Sequence, residues 1–372
     1  MVPFIEKNAE ILRNYIHLSN EPGARADYVQ GGGGNTSCKF DDRMMAIKAS
    51  GFKLSQITED NAYAVLDYAT VVDFYRNTDP STLPDVEGTG SATARNAVLQ
   101  IEGLPVLRPS VEAGFHSLLA KYVLHTHPVY ANLATCSMEG RNIAAQALTG
   151  ADYSYGFVPY IDPGAKLTFA IAAEQKRVLE ETGRLPAAIF MQNHGLIATH
   201  DDLETCLAIH TDVNERIARA FGVTSADFPA IGLGEIHAGD KVLYRSESPW
   251  MREIARDPAY DLQYFCSDSL YPDQLVFLAG NMAIVDGELP ANPGEWAKNK
   301  CTIYRGSGTV IYDCGKEEAR TIEETLVAVT FITKTIVRSG GHVVPMSDSG
   351  KDFIAGWESE KYRKSMVSGT KA

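Results

Sequence analysis

The run His125–Pro128 (His-Thr-His-Pro), which follows the apolar pair Val123-Leu124, constrains this chain more than any other stretch. Residues i and i+2 of an extended strand point to the same face, so both imidazoles can reach one metal ion. Pro128 cannot donate to a sheet ladder, and we expect it to end the strand just after the histidines. A catalytic zinc usually takes three protein ligands and keeps a fourth position open. The run therefore predicts a metal site that needs a further ligand from elsewhere in the chain.

Two other segments offer polar groups to such a site. Ser110 is expected to cap a short helix in which Glu112 and His116 lie one turn apart, so this helix can supply a carboxylate. His194 lies in the predicted turn 193–195 between two apolar segments, where a histidine is poorly placed for core packing. We predict that His194 is the third ligand and that the fold brings it to the histidine pair.

A glycine-rich run, Gly31–Gly34, precedes the polar residues Asn35–Ser37. Four consecutive glycines allow positive φ and a close approach of the backbone to a ligand. The run is not a P-loop, since no Gly-Lys-Ser/Thr follows, and it lacks the third glycine of a dinucleotide fingerprint. Ser50-Gly51 ends a predicted strand and offers a hydroxyl and a backbone N–H to a phosphate or carboxylate. A flexible loop and an anion-binding loop both stay open for the glycine run, and the polar residues favour the second.

Length and charge restrict the class of protein. The 372 residues exceed one average domain, and length alone predicts about two. A net charge of -13 argues against nucleic acid or an anionic membrane as the main partner, although a local pocket can still hold a small anion. The six cysteines are scattered without short paired spacing, as is typical of a reducing compartment. Without a signal segment or an apolar run of about 20 residues, we expect a cytoplasmic location.

Periodicity predicts helices and strands along the chain. Helices are expected at residues 4–16, 164–181 and 317–338, and strands at residues 43–49, 187–199, 274–279, 282–285, 301–304 and 309–312. His210 lies on the apolar face of a helix that Asp201 is expected to cap, and we interpret it as a core residue. Residues 77–93 are expected to form a surface loop and residues 225–260 a connecting region. The change of texture predicts a first domain over residues 1–225 and a smaller α/β module over residues 226–372.

Five segments, in this order, resemble the class II aldolase/adducin family: Gly33–Ser37, Ala49–Gly51, Pro109–Glu112, His125–Pro128 and Asn193–Gly195. The resemblance covers roughly residues 5–225 and is specific as a set, whereas no single segment would suffice. The tail Gly356–Arg363 and the region before it are similar to the aldolase portion of long bacterial rhamnulose-phosphate aldolases fused to a dehydrogenase. The resemblance implies a three-layer α/β domain with a central, mainly antiparallel sheet, and the pattern of strands and helix after it predicts the smaller C-terminal α/β module.

The resemblance also implies roles for individual residues. His125, His127 and His194 match the three zinc ligands, and Glu112 matches an acidic residue that approaches the resting metal and then acts as acid/base. The positions that match the site for the phosphate or its equivalent are Gly34, Asn35, Ser50, Gly51 and Ser110. Val111 departs from the pattern, because relatives acting on phosphoketoses often have a second serine there. This departure weakens the expected phosphate site and leaves the identity of the anion open.

The function implied is that of a lyase: an aldolase dependent on zinc or another divalent ion. It would cleave a ketose phosphate, such as one like rhamnulose 1-phosphate, into dihydroxyacetone phosphate and an aldehyde, as a homo-oligomer that in this family is often a tetramer. The same metal enolate also supports a 4-epimerase of a pentulose phosphate or a decarboxylase of a 3-oxo acid. A non-catalytic, adducin-like assembly module is a third alternative, against which the intact histidines and Glu112 speak.

Overall fold

A computed structural model describes residues 2–356, and its architecture is mixed α/β with two sheets. The larger sheet consists of β1 (Asn35–Lys39), β2 (Met44–Lys48), β3 (Tyr63–Asp67), β4 (Tyr122–Thr126), β5 (Tyr155–Val158), β6 (Ala188–Met191) and β7 (Gly195–His200). Their order is β3-β2-β1-β4-β7-β6-β5. β5 and β6 pair in parallel, and the other neighbours are antiparallel. The prediction of a mainly antiparallel central sheet is therefore confirmed.

Helices cover both faces of this sheet, which gives three layers. They are α1 (Pro3–Lys7), α2 (Ala9–Gly23), α3 (Tyr68–Asn77), α4 (Val86–Asn96), α5 (Ala113–Leu118), α6 (Val129–Thr135), α7 (Gly140–Ala147), α8 (Ala165–Thr182) and α9 (Leu203–Ala220). α2, α6 and α9 pack on one face, and α3, α5 and α8 pack on the other. Alternation along β4 follows from this arrangement: Leu124 belongs to the core under α2 and α9, whereas Val123 packs with Phe115 of α5.

The second sheet belongs to the C-terminal part of the chain. Its strands are β8 (Leu233–Ala238), β9 (Lys241–Ser246), β10 (Met282–Val285), β11 (Cys301–Tyr304) and β12 (Thr309–Tyr312), in the order β10-β11-β12-β9-β8. The helices here are α10 (Pro249–Arg256), α11 (Leu262–Cys266), α12 (Pro272–Leu278), α13 (Lys316–Arg338) and α14 (Asp348–Gly356). α13 packs against both α6 and α12. Leu133 of α6 and Val329 of α13 are buried in one apolar cluster, so the two sheets are joined by a shared core.

Two expected segments differ from the structure. The predicted strand 274–279 is wrong, because these residues lie mainly in α12, where Pro272 occupies the first helical turn. A short apolar run does not distinguish a strand from a buried helix, whereas proline at that position favours a helix start. The predicted loop 77–93 is wrong in its second half, which forms α4. Its glycines disfavour a helix, but a Cβ at Gly90 would lie 2.5 Å from the Ala165 Cβ, so close packing on α8 requires glycine.

Three smaller expectations also change. The region 225–260 contains the β8–β9 hairpin and α10 rather than a plain connection. Asp202, not Asp201, caps α9, since its side chain accepts a hydrogen bond from the Thr205 N–H. α5 begins at Ala113, which leaves Glu112 in the N-cap position instead of Ser110.

Within residues 2–356, the longest apolar helices fall short of what a membrane span requires. Of the rhamnulose-phosphate aldolase-like tail, residues 357–363 lie outside the described part of the chain.

Candidate metal centre

His125, His127 and His194 form one buried cluster. Each offers a ring nitrogen, and the three atoms lie within 4.8 Å of one another. The ring centroids are 5.0 Å apart for His125 and His127, 5.0 Å for His125 and His194, and 5.1 Å for His127 and His194. His125 lies in β4 and His127 is the first residue after it, and the two Nε2 atoms point toward each other on one side of the chain, as the sequence predicts. The fold thus brings together the three predicted ligands in a geometry that could hold one metal ion.

His194 reaches the pair because a tight turn connects β6 to β7. Asn193 has a φ of 50°, and its side-chain amide donates to the carbonyls of Leu270 at 2.9 Å and Val344 at 2.7 Å. A non-glycine residue with positive φ needs such support, and asparagine tolerates it better than most residues. Gly195 is equally constrained, since a Cβ there would lie 2.3 Å from the Thr126 carbonyl oxygen. The predicted turn is therefore confirmed, and C-terminal backbone groups hold it.

The surroundings keep His125 neutral, which is the form that binds a metal. Its Nδ1 is 3.0 Å from the Leu196 carbonyl oxygen. A carbonyl can only accept, so Nδ1 carries the hydrogen and Nε2 presents a lone pair to the cluster. Burial, and then the neighbouring imidazoles of His127 and His194, hold the pKa of His125 well below its ordinary value. The His125 Nε2 atom is 3.3 Å from the Nε2 atom of His127.

Glu112 faces this cluster with both carboxylate oxygens. Oε2 lies 3.6 Å from the His125 Nε2, and Oε1 lies 3.5 Å from the His194 Nε2. The Asn35 side-chain amide donates a hydrogen bond to Oε2. The Glu112 N–H donates to the Ser110 hydroxyl at 3.2 Å, which fixes the backbone just before α5. A buried carboxylate next to three imidazoles is a donor set that suits a divalent cation.

The glycine run ends against the same cluster. Gly34 has a φ of 69°, and a Cβ there would lie 2.5 Å from the His125 carbonyl oxygen. Only glycine combines this backbone conformation with so close an approach. At the other end of the run, the Gly31 N–H donates to the Glu324 carboxylate of α13 at 3.2 Å. The run is therefore an ordered segment between the candidate ligands and the C-terminal helices.

One cleft joins the predicted substrate residues to the cluster. Gly34, Asn35, Ser50, Gly51, Ser110, Glu112, His127 and His194 all line it. The Ser50 hydroxyl donates to the Pro109 carbonyl at 3.1 Å, which leaves its oxygen lone pairs as acceptors. Lys48 and Val111 also border the cleft. Lys48 is buried, and its ammonium group donates a hydrogen bond to the Phe52 carbonyl at 2.6 Å. A cation and an apolar side chain thus stand beside the predicted anion site.

Two other buried histidines, His116 and His210, have hydrogen-bond partners outside the cluster. His116 is buried against the Ser37 hydroxyl at 2.8 Å, and burial lowers its pKa to about 3. His210 is confirmed as a core residue, with its Nε2 2.6 Å from the Thr126 hydroxyl. Sequence reasoning missed Asp273, whose Oδ2 lies 2.5 Å from the His127 Nδ1. The available signal was Pro272, because proline favours the first turn of a helix and Asp273 follows it directly. The prediction of a strand for this segment left that signal unused.

Comparisons with known proteins place this arrangement in a family. The sequence model described as "Class II Aldolase and Adducin N-terminal domain" matches residues 22–220. No curated protein sequence matches the chain. A similar solved structure is the N-terminal class II aldolase domain of a conserved protein from Thermoplasma acidophilum. It is 20% identical, with 55% of this chain and 91% of that chain covered and a TM-score of 0.45.

Two further solved structures are similar. The sugar-phosphate aldolase from Thermotoga maritima is 14% identical, with 59% of this chain and 97% of that chain covered and a TM-score of 0.42. The L-fuculose-1-phosphate aldolase from Thermus thermophilus is 15% identical, with 56% and 92% covered and a TM-score of 0.35. The family match spans more than half of the sequence and includes the three histidines, Glu112 and the glycine run. This chain belongs to the class II aldolase and adducin N-terminal domain family.

Proposed function

We propose that the protein is a zinc-dependent aldolase. It cleaves a ketose phosphate similar to rhamnulose 1-phosphate into dihydroxyacetone phosphate and an aldehyde. One observation carries the proposal: three imidazoles and the Glu112 carboxylate converge at the edge of a cleft that the glycine run and two serines also line. A structural cluster needs no such cleft, whereas a lyase needs a metal site, a proton carrier and an anchor for the substrate together.

The donor set fits a divalent ion held by His125, His127 and His194. Three neutral nitrogen ligands leave the ion its full charge and an open side, as in catalytic zinc sites. When bound, the ion supplies Lewis-acid stabilisation of the negative charge that develops on the carbonyl oxygen of the ketose. Another divalent ion of similar preference is compatible with the same ligands.

Glu112 carries the proton in this proposal. In the cleavage direction it accepts the proton of the hydroxyl on the carbon that becomes the aldehyde. The adjacent carbon–carbon bond then breaks, and its electron pair passes to the ketose fragment as an enediolate. Glu112 returns the proton to the carbon of that fragment, which completes dihydroxyacetone phosphate. Glu112 is 4% exposed, and its carboxylate oxygens lie 3.6 Å from the His125 Nε2 and 3.5 Å from the His194 Nε2. The carboxylate is therefore within reach of a substrate at the cluster.

The far end of the cleft orients the substrate. Gly34, Asn35, Ser50, Gly51 and Ser110 would receive its anionic group through backbone N–H groups and side-chain dipoles. Lys48 adds a positive charge to the lining of the cleft, and Val111 lines it without supplying a hydroxyl. We propose that Lys48 contributes the attraction that a second serine provides in phosphoketose-specific relatives. This arrangement supports an anionic substrate in a protein whose overall charge is negative.

The proposal extends to assembly and domain roles. Residues 1–225 would carry the metal and substrate groups, and residues 226–372 would form a module that covers the site. The family resemblance supports a homo-oligomer, with a tetramer as the expected state. Light scattering at micromolar concentration measures this, and a monomer would contradict it.

Product analysis tests the activity. The zinc-loaded protein is incubated with rhamnulose 1-phosphate and related ketose phosphates, and dihydroxyacetone phosphate is detected by its reduction with a coupled dehydrogenase. An aldolase yields two carbon fragments, an epimerase yields one isomer, and a decarboxylase acting on a 3-oxo acid releases CO₂. Absence of bound metal and of all three products would instead support an adducin-like assembly module. His194→Ala serves as the control that removes one candidate ligand.

A further inference from the structure

One buried carboxylate of the C-terminal part of the chain contacts the histidine cluster directly. Asp273, in the first turn of α12, is fully buried, and its Oδ2 lies 2.5 Å from the His127 Nδ1. We propose that Asp273 is a positioning residue that fixes the His127 ring for metal binding. The inference rests on the proposed metal-dependent function. It gives the C-terminal module a direct part in a site whose ligands all come from the first 225 residues.

The hydrogen bond determines which nitrogen of His127 is available. A carboxylate accepts hydrogen bonds, so the Nδ1 that faces Asp273 carries the hydrogen and donates it. In the neutral ring, the form that binds a metal, the lone pair is then on Nε2, which lies 3.3 Å from the His125 Nε2. His125 is set in the same way by the Leu196 carbonyl. When both rings are neutral, the Asp273 carboxylate and the Leu196 carbonyl thus leave a lone pair on each Nε2 atom, and one metal ion can accept both.

Neighbouring hydrogen bonds hold Asp273 in place on both sides. The Tyr271 hydroxyl donates to the Gln30 side-chain oxygen at 3.0 Å, next to the glycine run. Gln274 accepts from the Leu270 N–H at 2.8 Å and donates to the Tyr264 carbonyl at 2.8 Å. The first turn of α12 is therefore held by hydrogen bonds to groups outside the histidine cluster. A carboxylate that orients a ligating histidine in this way typically strengthens metal binding about 10–100-fold.

Gly33 provides a second, independent observation on the same contact. A Cβ at this position would lie 2.6 Å from the Asp273 Oδ2 and 2.9 Å from the His127 Nδ1. Any side chain here would push the carboxylate and the ring apart. The third glycine of the run is thus required by the space between Asp273 and His127. Gly33→Ala should disturb the contact without changing either partner.

The experiment compares Asp273→Asn and Gly33→Ala with the matched control Glu323→Gln. Glu323 is another buried carboxylate of the C-terminal part, and it bonds with Ser246 and Tyr312 away from the cluster. Zinc affinity of the full chain is measured by competition with a chromophoric chelator, and near-UV circular dichroism checks folding. We expect about 10–100-fold weaker zinc binding in both test variants and no change in the control. The visible absorption of the cobalt-substituted protein should also change in the test variants alone.

The outcomes separate this inference from the proposed function. Folded Asp273→Asn protein with the zinc affinity of the control would overturn the positioning role, even if the wild type is an active aldolase. An equal loss of affinity in Glu323→Gln would overturn it too, because it would show a general effect of stability. Wild-type protein that binds no zinc would refute the metal centre itself. If Asp273→Asn does not fold, Gly33→Ala decides the question, since it leaves the carboxylate in the chain.

Discussion

Asn35 lies directly opposite His125 in the antiparallel register of β1 and β4. Side chains of directly paired residues project to the same face, so the asparagine amide and the imidazole are neighbours. Asn35 also donates to the Glu112 carboxylate. Because the glycine run leads directly into Asn35, one pair of strands fixes the distance between the candidate anion loop and the histidine cluster. The chemistry proposed for this chain depends on that register.

Gly34→Ala tests how closely the glycine run must approach the cluster. We expect the variant to lose about 1–2 kcal/mol from its left-handed φ, and about 1–3 kcal/mol more from the clash with the His125 carbonyl. Gly150 also has positive φ, but a Cβ there meets nothing within 4 Å, so Gly150→Ala is the matched control. Chemical denaturation measures both. Equal losses in the two variants would show that the close approach is unimportant.

His194→Ala tests the third ligand. Without this imidazole, we expect the purified protein to contain little zinc, whereas the wild type should contain about one ion per chain. Zinc at 100 times its Kd should raise the free energy of unfolding of metal-free wild type by about 2.7 kcal/mol, and the variant should lack this gain. Elemental analysis and thermal denaturation measure the two effects. His342→Ala, which removes an exposed histidine paired with Glu139, is the control. Full zinc occupancy in His194→Ala would exclude it as a ligand.

Lys48→Met tests whether the positive charge of Lys48 helps to bind the anionic group of the substrate. If Lys48 attracts the anionic group, its loss should raise KM for a phosphorylated substrate by roughly 10-fold or more, since hydrogen bonds to charged groups contribute about 1.5–3 kcal/mol. The kcat should change less, because the lysine takes no part in the proposed proton transfer. Lys53→Met is the matched control, because Lys53 pairs with the exposed Glu317 carboxylate at 2.8 Å. An unchanged KM in Lys48→Met would exclude the lysine from substrate binding.

Local patterns predicted much of the site, because each depends on a few neighbouring residues. The alternation of side chains along an extended backbone predicts the His125–His127 pair, and the turn 193–195 predicts His194. Asp273 escaped prediction because its partner is 146 residues away in sequence and its segment was interpreted as a strand. The Gly90 packing in α4 was missed for a similar reason, since Ala165 of α8 sets its requirement. Long-range packing, which no local pattern contains, decided both.

Glu323 predicts a pH dependence of stability. Burial raises the pKa of this carboxyl to about 7, above its ordinary value of 4.5. Between these values the unfolded chain loses the proton and the folded chain keeps it, so the free energy of unfolding falls as pH rises through this window. Glu323→Gln removes this contribution, which is on the order of 1–3 kcal/mol. Urea denaturation from about pH 4.5 to about pH 8 should show a shallower fall in the variant. Parallel curves for the two proteins would contradict the buried protonated carboxyl.

Glu112→Gln separates metal binding from proton transfer. The amide keeps the shape of the side chain and can still accept from Asn35, so the three histidines should retain zinc. Turnover should fall by roughly the 10²–10⁴-fold that is typical of a lost general acid/base. Deuterium uptake into dihydroxyacetone phosphate should fall with it, because the same carboxylate would return the proton to carbon. Glu139→Gln, which alters a half-buried carboxylate paired with His342, controls for the loss of a charge.

The exchange measurement decides between two roles for Glu112. A residue that merely occupies the N-cap position of α5 would contribute to stability and leave the exchange rate unchanged. Its side chain makes no capping hydrogen bond to that helix, and its two oxygens lie near the Nε2 atoms of His125 and His194 instead. The geometry therefore favours chemistry over capping. Near-normal exchange in a folded, zinc-loaded Glu112→Gln protein would remove Glu112 from the mechanism, and the base would then have to be sought among the other groups that line the cleft.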